Sequence, residues 1–368
     1  MPASEEELPK SQKILPALTP PVRLVAWEVT RRCNLNCQHC RAAAGCGPYP
    51  GELTHEEGFR LIDQIVSFSR PVIILTGGEP LLREDIYQIA SYGTHRGLRM
   101  VIAPNGTLLD PGKARRLKKS GIQRASISLD GSTPESHDEF RRVPGAFAGA
   151  LQGITCLKEA GLEFQINSTV TRKNCQELPA ILDLAIRLGA VAHHIFLLVP
   201  TGRGKDFQGE DLPAGEYEKI LHWFENQRGK IPLQMKATCA PHYYRILRER
   251  ARREGKEVTP ESHGLDALTR GCLAGLGFCF ISHRGDVQPC GYLEVFCGSI
   301  RKQSLQDIWE NSEIFKGFRD FSQYKGRCGH CEYIQVCGGC RARAFSKYGD
   351  FMAEEPLCLY HPKKNFSS

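Results

Sequence analysis

The 368 residues are 41% hydrophobic and 24% charged, with a formal net charge of +7, the make-up of a globular chain long enough to bury one large core and a smaller second one. The longest apolar stretches, such as 195–199, are too short to span a bilayer, and the opening MPASEEELPK lacks the basic start and apolar run of a signal peptide. Sixteen cysteines without an export signal point to the reducing cytoplasm and to metal thiolates in place of disulfides, and no Lys/Arg stripe interleaved with aromatics supports nucleic-acid binding.

Residues 1 to about 20, with Pro9, Pro16, Pro20 and the adjoining Pro21, read as a mobile arm. Residues 23–29 form a first buried strand, and a loop with Cys33, Cys37 and Cys40 follows it. Thr54 and Glu57 make a capping box ahead of an apolar-periodic helix to about 69. Further strands are expected at 72–76, 98–103, 124–129, 163–170 and 191–199, with helices between them, for example at 146–160 and 178–188. Apolar strands alternating with amphipathic helices predict a parallel sheet with right-handed crossovers. The fold class is therefore α/β, a partial (β/α)6 TIM-like barrel over 21–228. In such folds chemistry gathers at the carboxyl ends of the strands, where the cysteine loop, Gly77-Gly78-Glu79-Pro80 and Asn105-Gly106 all fall. A helix over about 214–226 closes this unit, and a bridging helical segment covers 229–270. Within it, 245–256 reads as a solvated, charged helix face. From Cys272 the cysteines become dense and helical periodicity fades except near 305–318, so 271–360 is read as a second, cluster-bearing domain, with a tail at 361–368.

The spacing Cys33-x3-Cys37-x2-Cys40 cannot by itself fill a tetrahedral zinc site. It suits a 4Fe–4S cluster that keeps one iron open. A c-type heme attachment is excluded because Arg41, not His, follows Cys40. Together with Gly77-Gly78-Glu79-Pro80, the motif resembles the radical S-adenosylmethionine (SAM) superfamily. The resemblance implies that the open iron chelates SAM and that Gly77, Gly78, Glu79 and Pro80 bind its amino group. It also implies that Asn105, Ser128, Asp130 and Asn167 lie near its ribose and methionyl groups, with His39 beside the adenine. Taken without the resemblance, Asn105-Gly106 and Asp130-Gly131 are simply good turn pairs.

Cys272, Gly285 and Cys290, followed by Cys328, Cys331 and Cys337, resemble the SPASM extension of many radical SAM enzymes. That resemblance implies an auxiliary 4Fe–4S cluster on Cys272, Cys279, Cys290 and Cys340 and another on Cys328, Cys331, Cys337 and Cys358. One departure leaves the number at one or two: only Gly338-Gly339 separates Cys337 from Cys340, where the pattern has three residues. The alternative is a zinc ribbon on Cys328, Cys331, Cys337 and Cys340. Cys156 sits on an apolar helix face and reads as a core residue, while Cys46, Cys175 and Cys297 have no clear role.

A closer likeness lies in LVAWEVTRRCNLNCQHCRAAA, AHHIFLLVPTGRGKD, KATCAPHYYRI, GFCFISHRGDVQPCGYLE and CGGCRARA, which look like the heme b synthase family of the siroheme-dependent heme pathway. The likeness covers roughly 22–360 and implies oxidative decarboxylation of two propionates of iron-coproporphyrin III to vinyl groups, giving heme b. A monomer served by a low-potential donor of ferredoxin or flavodoxin type is expected, with no nucleic acid or membrane as partner. The charge of +7 is that of a slightly basic enzyme or of a cavity tuned to a polyanion. For four carboxylates the candidates are Arg41, Arg203, Lys205, Arg341 and Arg343. Each has a surface-charge alternative. His193 and His194 approach the porphyrin iron or are structural. Cys239, His242, Tyr243 and Tyr244 form either a buried polar cluster or a substrate or proton-transfer group. Competing readings are another radical SAM/SPASM enzyme (tetrapyrrole-modifying or a peptide maturase) and, in a different class, an electron-transfer iron–sulfur protein.

Overall fold

The sequence LVAWEVT is apolar on both faces but for one carboxylate, and it forms the strand β1 (Leu24–Thr30), buried along nearly its whole length. The computed structural model describes residues 19–207 and 211–363; residues 1–18 of the expected arm and most of the 361–368 tail lie outside the described residues. After β1 come α1 (His55–Phe68), β2 (Val72–Gly77), α2 (Ile86–His95), β3 (Arg99–Ile102), α3 (Pro111–Lys119) and β4 (Arg124–Ser128). Next are α4 (Pro134–Arg141), α5 (Ala146–Glu159), β5 (Glu163–Val170), α6 (Leu178–Leu188), β6 (Ala192–Leu197) and α7 (Ala214–Gln227). The expected capping box is present: Thr54 accepts from the Glu57 N–H while Glu57 accepts from the Thr54 N–H.

The six expected strands pair in parallel in the order β1 to β6. The sheet goes further than six. Within 229–270, read from sequence as helical, β7 (Gln234–Thr238) pairs in parallel with β6 before α8 (His242–Arg253) and the short α9 (Pro260–His263) begin. Its QMKAT alternates polar with apolar: Met235 and Ala237 pack under the helices, and the polar residues take the other face. At the opposite edge β8 (Phe278–Ile281) joins β1 in parallel, and β9 (Asp286–Gln288) and β10 (Gly298–Ser299) continue antiparallel. The result is one ten-stranded sheet in the order β10-β9-β8-β1-β2-β3-β4-β5-β6-β7. The cysteine-rich C-terminal part is thus continuous with the main sheet. It ends in α10 (Leu305–Asn311), α11 (Glu313–Arg319), the short α12 (Gly326–Gly329) and α13 (Arg341–Tyr348).

The helix-facing side of the sheet carries the core. Trp27, Ile73, Leu75, Met100, Ile102, Ile127 and Ile166 meet Leu61, Ile62, Ile65, Ile89 and Leu157 there. A second cluster packs Ile195 and Leu197 against Leu221, Phe224, Tyr243 and Leu247. Strand alternation turns the intervening residues to the concave side: Glu28 and Thr30 on β1, Asn167 on β5, His194 on β6 and Lys236 on β7. The charged stretch 245–256 falls mainly in α8 but is not wholly solvated. Arg245 is buried and pairs with Glu218 and, at 2.8 Å, with Glu249. Among the described residues no helix is long and apolar enough to cross a membrane.

Candidate functional site

The loop after β1 packs Cys33 and Cys37, both buried, and half-buried Cys40 among Leu35, Ala42, Ala44 and Ala146. Arg203 holds it in shape, donating to the carbonyls of Cys37 (2.9 Å) and Ala44 (2.7 Å), while the Cys33 N–H donates to Gly45 (2.7 Å). Arg203 is therefore occupied in bracing this loop and not in gripping a carboxylate. Each sulfur has a donor aimed at it: the Leu35 N–H to Cys33 Sγ (3.4 Å), Arg141 Nη1 to Cys37 Sγ (3.5 Å) and the Ala44 N–H to Cys40 Sγ (3.4 Å). Burial pushes the Cys33 thiol up to about 12, with Glu79, Cys37 and Cys40 adding to it. Burial also raises Cys37, against the pull of Arg141. Such thiols ionise when a cation joins them. Among the described residues no three His, Cys, Asp or Glu side chains converge on a single-ion point. Cluster thiolates each bind a different iron and need no common point, so three donor-backed thiols fit a 4Fe–4S group.

The turn after β2 is pressed against this loop. A Cβ on Gly77 would overlap the Thr30 carbonyl oxygen, and one on Gly78 would overlap that of Arg32 and lie 2.6 Å from that of Arg31. Only glycine allows the N–H groups of Gly78 and Glu79 to reach Thr30 (2.8 Å) and Arg32 (2.7 Å). Glu79 is fully buried, accepting from the N–H groups of Leu81 (3.0 Å) and Asn105 (2.7 Å), and Pro80 behind it opens a single 3-10 turn. Asn105 donates to Asn34 (2.8 Å) and accepts from Thr107. Asn167 pairs with Gln165 (2.9 Å), and half-buried Ser128 sits opposite it in register. His39 packs against Phe140 with the rings tilted and their centroids 4.6 Å apart, and its Nδ1 is buried without a partner. Asp130 is used internally: it pairs with Arg141 and accepts from the Thr169 N–H (2.7 Å). Its contact is with the arginine that donates to Cys37, so Asp130 braces the support of the cysteine loop.

Several substrate candidates have structural work instead. Arg341 donates to the carbonyls of Phe351 (3.1 Å) and Ala353 (2.6 Å), and Arg343 pairs with Glu355 (3.2 Å) and donates to Cys239 (3.0 Å). Neither is open to a ligand carboxylate. His193 faces the helices, with Nε2 at 3.0 Å from Ser168 and its ring edge-on to Phe224. Tyr243 and Tyr244 point toward Arg228 and Asp266, under the helices. His242 is buried with both ring nitrogens unpartnered, beside Tyr217. Lys205 is exposed on the loop after β6. The concave side retains His194, hydrogen-bonded to Gln165 (2.9 Å), and Arg41. Burial pulls His194 down to about 3, with Lys236 adding to this, so it is neutral. Lys236, Gln165 and Tyr292, missed in the sequence, share this side. Arg41 lies over the Phe280 ring (4.4 Å), pairs with Glu28 (2.9 Å) and keeps a buried Nη2 without a partner.

The second cysteine group divides in two. Cys328, Cys331, Cys337 and Cys358 line one cavity with His242, Arg245 and Glu355. The N–H groups of Glu355 (3.4 Å) and Gly339 (3.5 Å) aim at Cys328 and Cys337 there. Cys340 belongs elsewhere, packed with Cys272, Cys290 and Cys239 around Leu293, Phe318 and Ala342. The zinc-ribbon grouping is thereby split. The short spacer that departs from the SPASM pattern is accommodated by Gly338 (φ 75°) and Gly339 (φ 61°). Two left-handed glycines reverse the chain so that Cys337 and Cys340 serve different clusters of side chains. Cys279 does not join Cys272, Cys290 and Cys340. In the strand FCFI it alternates with Phe278 and Phe280 and faces the main core, near Cys297.

Comparison with known proteins agrees with this geometry. The radical SAM superfamily model matches residues 27–185, and the iron–sulfur cluster-binding SPASM domain matches 272–341. The AdoMet-dependent heme synthase of Nitratidesulfovibrio vulgaris is 55% identical over 346 residues, covering 94% of each chain. The protein of that name from Methanosarcina barkeri is 51% identical over 348 residues, 95% of this chain and 99% of its own. In fold, SuiB of Streptococcus suis, in its structure bound to S-adenosylmethionine, matches with a TM-score of 0.71 at 17% identity, over 93% of this chain and 78% of that one. Similarity of this degree along nearly the whole chain, on a fold that gathers three donor-backed thiols at its strand ends, settles the family: the chain is a radical SAM enzyme with a SPASM domain, it belongs to the family of the AdoMet-dependent heme synthases, and its cofactors are 4Fe–4S clusters and SAM.

Proposed function

We propose that the chain converts two propionates of iron-coproporphyrin III to vinyl groups, giving heme b. The observation that carries the reading is Arg41. Its guanidinium is held on the concave side by Glu28 and Phe280, and its buried Nη2 lacks a partner. A buried cationic N–H without an acceptor is costly, and a propionate carboxylate supplies one. Lys236 adds a second cation on the same side, and neutral His194 a hydrogen-bonding group that leaves the anion unopposed. The names of the relatives support a porphyrin substrate.

Cys33, Cys37 and Cys40 would hold the SAM-binding cluster, and the Gly77–Pro80 turn with Asn105, Ser128 and Asn167 would line the SAM site. When bound, these groups supply one-electron chemistry that removes a hydrogen atom from carbon, and an auxiliary cluster supplies an electron acceptor. The chain's own task is placement. Arg41 and Lys236 orient carboxylates, and the packed Phe280 and Tyr292 exclude water from the reacting carbon. Each propionate loses one hydrogen atom, one electron and carbon dioxide on becoming a vinyl. Two propionates react, so the porphyrin rotates or rebinds between turnovers. We expect a monomer served by a ferredoxin- or flavodoxin-type donor.

Anaerobically reconstituted protein, given SAM, dithionite and iron-coproporphyrin III, should yield a product lighter by two carboxyl groups by mass spectrometry. Unchanged porphyrin mass alongside active SAM cleavage would defeat this substrate.

A further inference from the structure

Cys239 directly follows β7, at the carboxyl end of the sheet, in a left-handed backbone conformation (φ 55°) that residues with a Cβ rarely adopt. It packs with Cys272, Cys290 and Cys340. These four thiols come from four segments: the end of β7, the loop before β8, the turn after β9 and the residue capping α13. One hydrogen-bond network fixes two of them. The Cys239 carbonyl accepts from Tyr217 (3.1 Å) and Arg343 (3.0 Å). Arg343 pairs with Glu355, and Glu355 accepts the Cys340 N–H at 2.6 Å. The Tyr292 N–H lies 3.5 Å from Cys290 Sγ, a donor like those aimed at the Cys33, Cys37 and Cys40 sulfurs. The thiols of Cys340, Cys290 and Cys272 lie close enough to that of Cys239 to act on it electrostatically.

We infer that Cys239 is the fourth thiolate of the auxiliary iron–sulfur site built on Cys272, Cys290 and Cys340. Cys279, which the sequence pattern suggests for that place, faces the opposite side of its strand among Trp27, Leu61 and Ile281. Four thiolates complete the ligand set of a 4Fe–4S cluster and leave no iron open. This site then exchanges electrons and does not bind substrate directly. The inference concerns which side chains hold iron and is independent of the porphyrin reading.

The test uses the full chain with Cys33, Cys37 and Cys40 replaced by Ala, reconstituted anaerobically, so that only auxiliary iron is read. Cys239→Ala should lose about four irons and their sulfide, or show a three-iron signal when oxidised. Cys279→Ala should keep the parent's iron, sulfide and reduced EPR spectrum. Parent-like iron and spectrum in Cys239→Ala, or cluster loss in Cys279→Ala, overturns the inference. If Cys239→Ala is misfolded by circular dichroism, Cys239→Ser is read by Mössbauer spectroscopy. An iron with oxygen ligation supports the assignment, and irons with sulfur ligation alone overturn it.

Discussion

The Glu28 carboxylate stands 2.9 Å from Arg41 Nη1, and it also meets His283 (2.8 Å) and Arg31 (3.0 Å). This carboxylate ties β1, the loop following the three thiols and the β8–β9 turn to one point. Burial pushes Glu28 up, but Arg41, His283 and Arg31 outweigh it and hold the carboxyl down at about 2. Removing one partner of a buried ion pair typically costs about 3–5 kcal/mol. Glu28→Gln should lose stability of that order in urea unfolding of the iron-free protein. A loss below about 1 kcal/mol, the range of exposed pairs, would show that Arg41 finds another acceptor.

Glu79 behaves oppositely. Burial pushes it from 4.5 up to about 7 despite two backbone donors. Between these values the folded iron-free chain holds a proton that the unfolded chain has released. Its stabilising share is complete below pH 4.5 and is lost as pH rises through 7, a change on the order of 3 kcal/mol. The depressed Glu28 contributes above 4.5 and fades only as pH falls toward 2, so the two windows do not overlap. Burial pulls His137, His193, His194 and His242 down to about 3–4, and they slope the other way, so the Glu79 share is read as a difference: in thermal unfolding of the iron-free protein, Glu79→Gln should gain stability relative to the parent as pH rises from 4.5 to 7. Equal slopes in both proteins would refute the assignment.

Arg141 lies 3.5 Å from Cys37 Sγ and is held there by Asp130. A cation beside a cluster favours its reduced, more negative form. Arg141→Gln should therefore shift the SAM-site midpoint potential negative by roughly tens of millivolts, and Asp130→Asn, which removes the anion opposing it, should shift it the other way. An EPR-monitored redox titration reads this directly, and an unmoved potential in Arg141→Gln would remove the arginine from the account.

Gly78→Ala places a Cβ into the Arg32 carbonyl, so the turn must withdraw from the cysteine loop. The core is untouched, and far-UV circular dichroism should stay native. SAM affinity of the reconstituted protein should fall at least about tenfold, equivalent to 1.4 kcal/mol. Unchanged SAM binding by calorimetry would mean that the turn tolerates displacement.

Lys236→Gln removes a concave-side cation without touching the three thiols. The KM for iron-coproporphyrin III should rise about tenfold, in line with a charged hydrogen bond, with kcat and substrate-free SAM cleavage little changed. A drop in SAM cleavage itself would point to a wider disturbance.

What the sequence discloses depends on periodicity and packing. The six apolar strands and the cysteine loop are readable because burial on both faces leaves continuous apolar runs. β7 is not, because Gln234, Lys236 and Thr238 look to the concave side and interrupt its apolar run. Cys279 and Cys239 exchange places for a related reason. Spacing along the chain favours Cys279, but in a short strand the two-residue alternation with Phe278 and Phe280 turns it into the core. That alternation is a signal the sequence does carry. Arg341 and Arg343 carry no comparable signal: what satisfies them is the distant Glu355 and the carbonyls of other segments, known only once the chain is folded.

Because β8 docks alongside β1, the edge of the first strand stays unsheltered until most of the polypeptide has left the ribosome; His283 meets Glu28 across 255 residues of sequence. A nascent chain therefore exposes an apolar strand margin for many seconds of synthesis. A polypeptide cut short of β8 would keep that margin bare, and an open apolar strand margin is the kind of edge through which chains pair with one another.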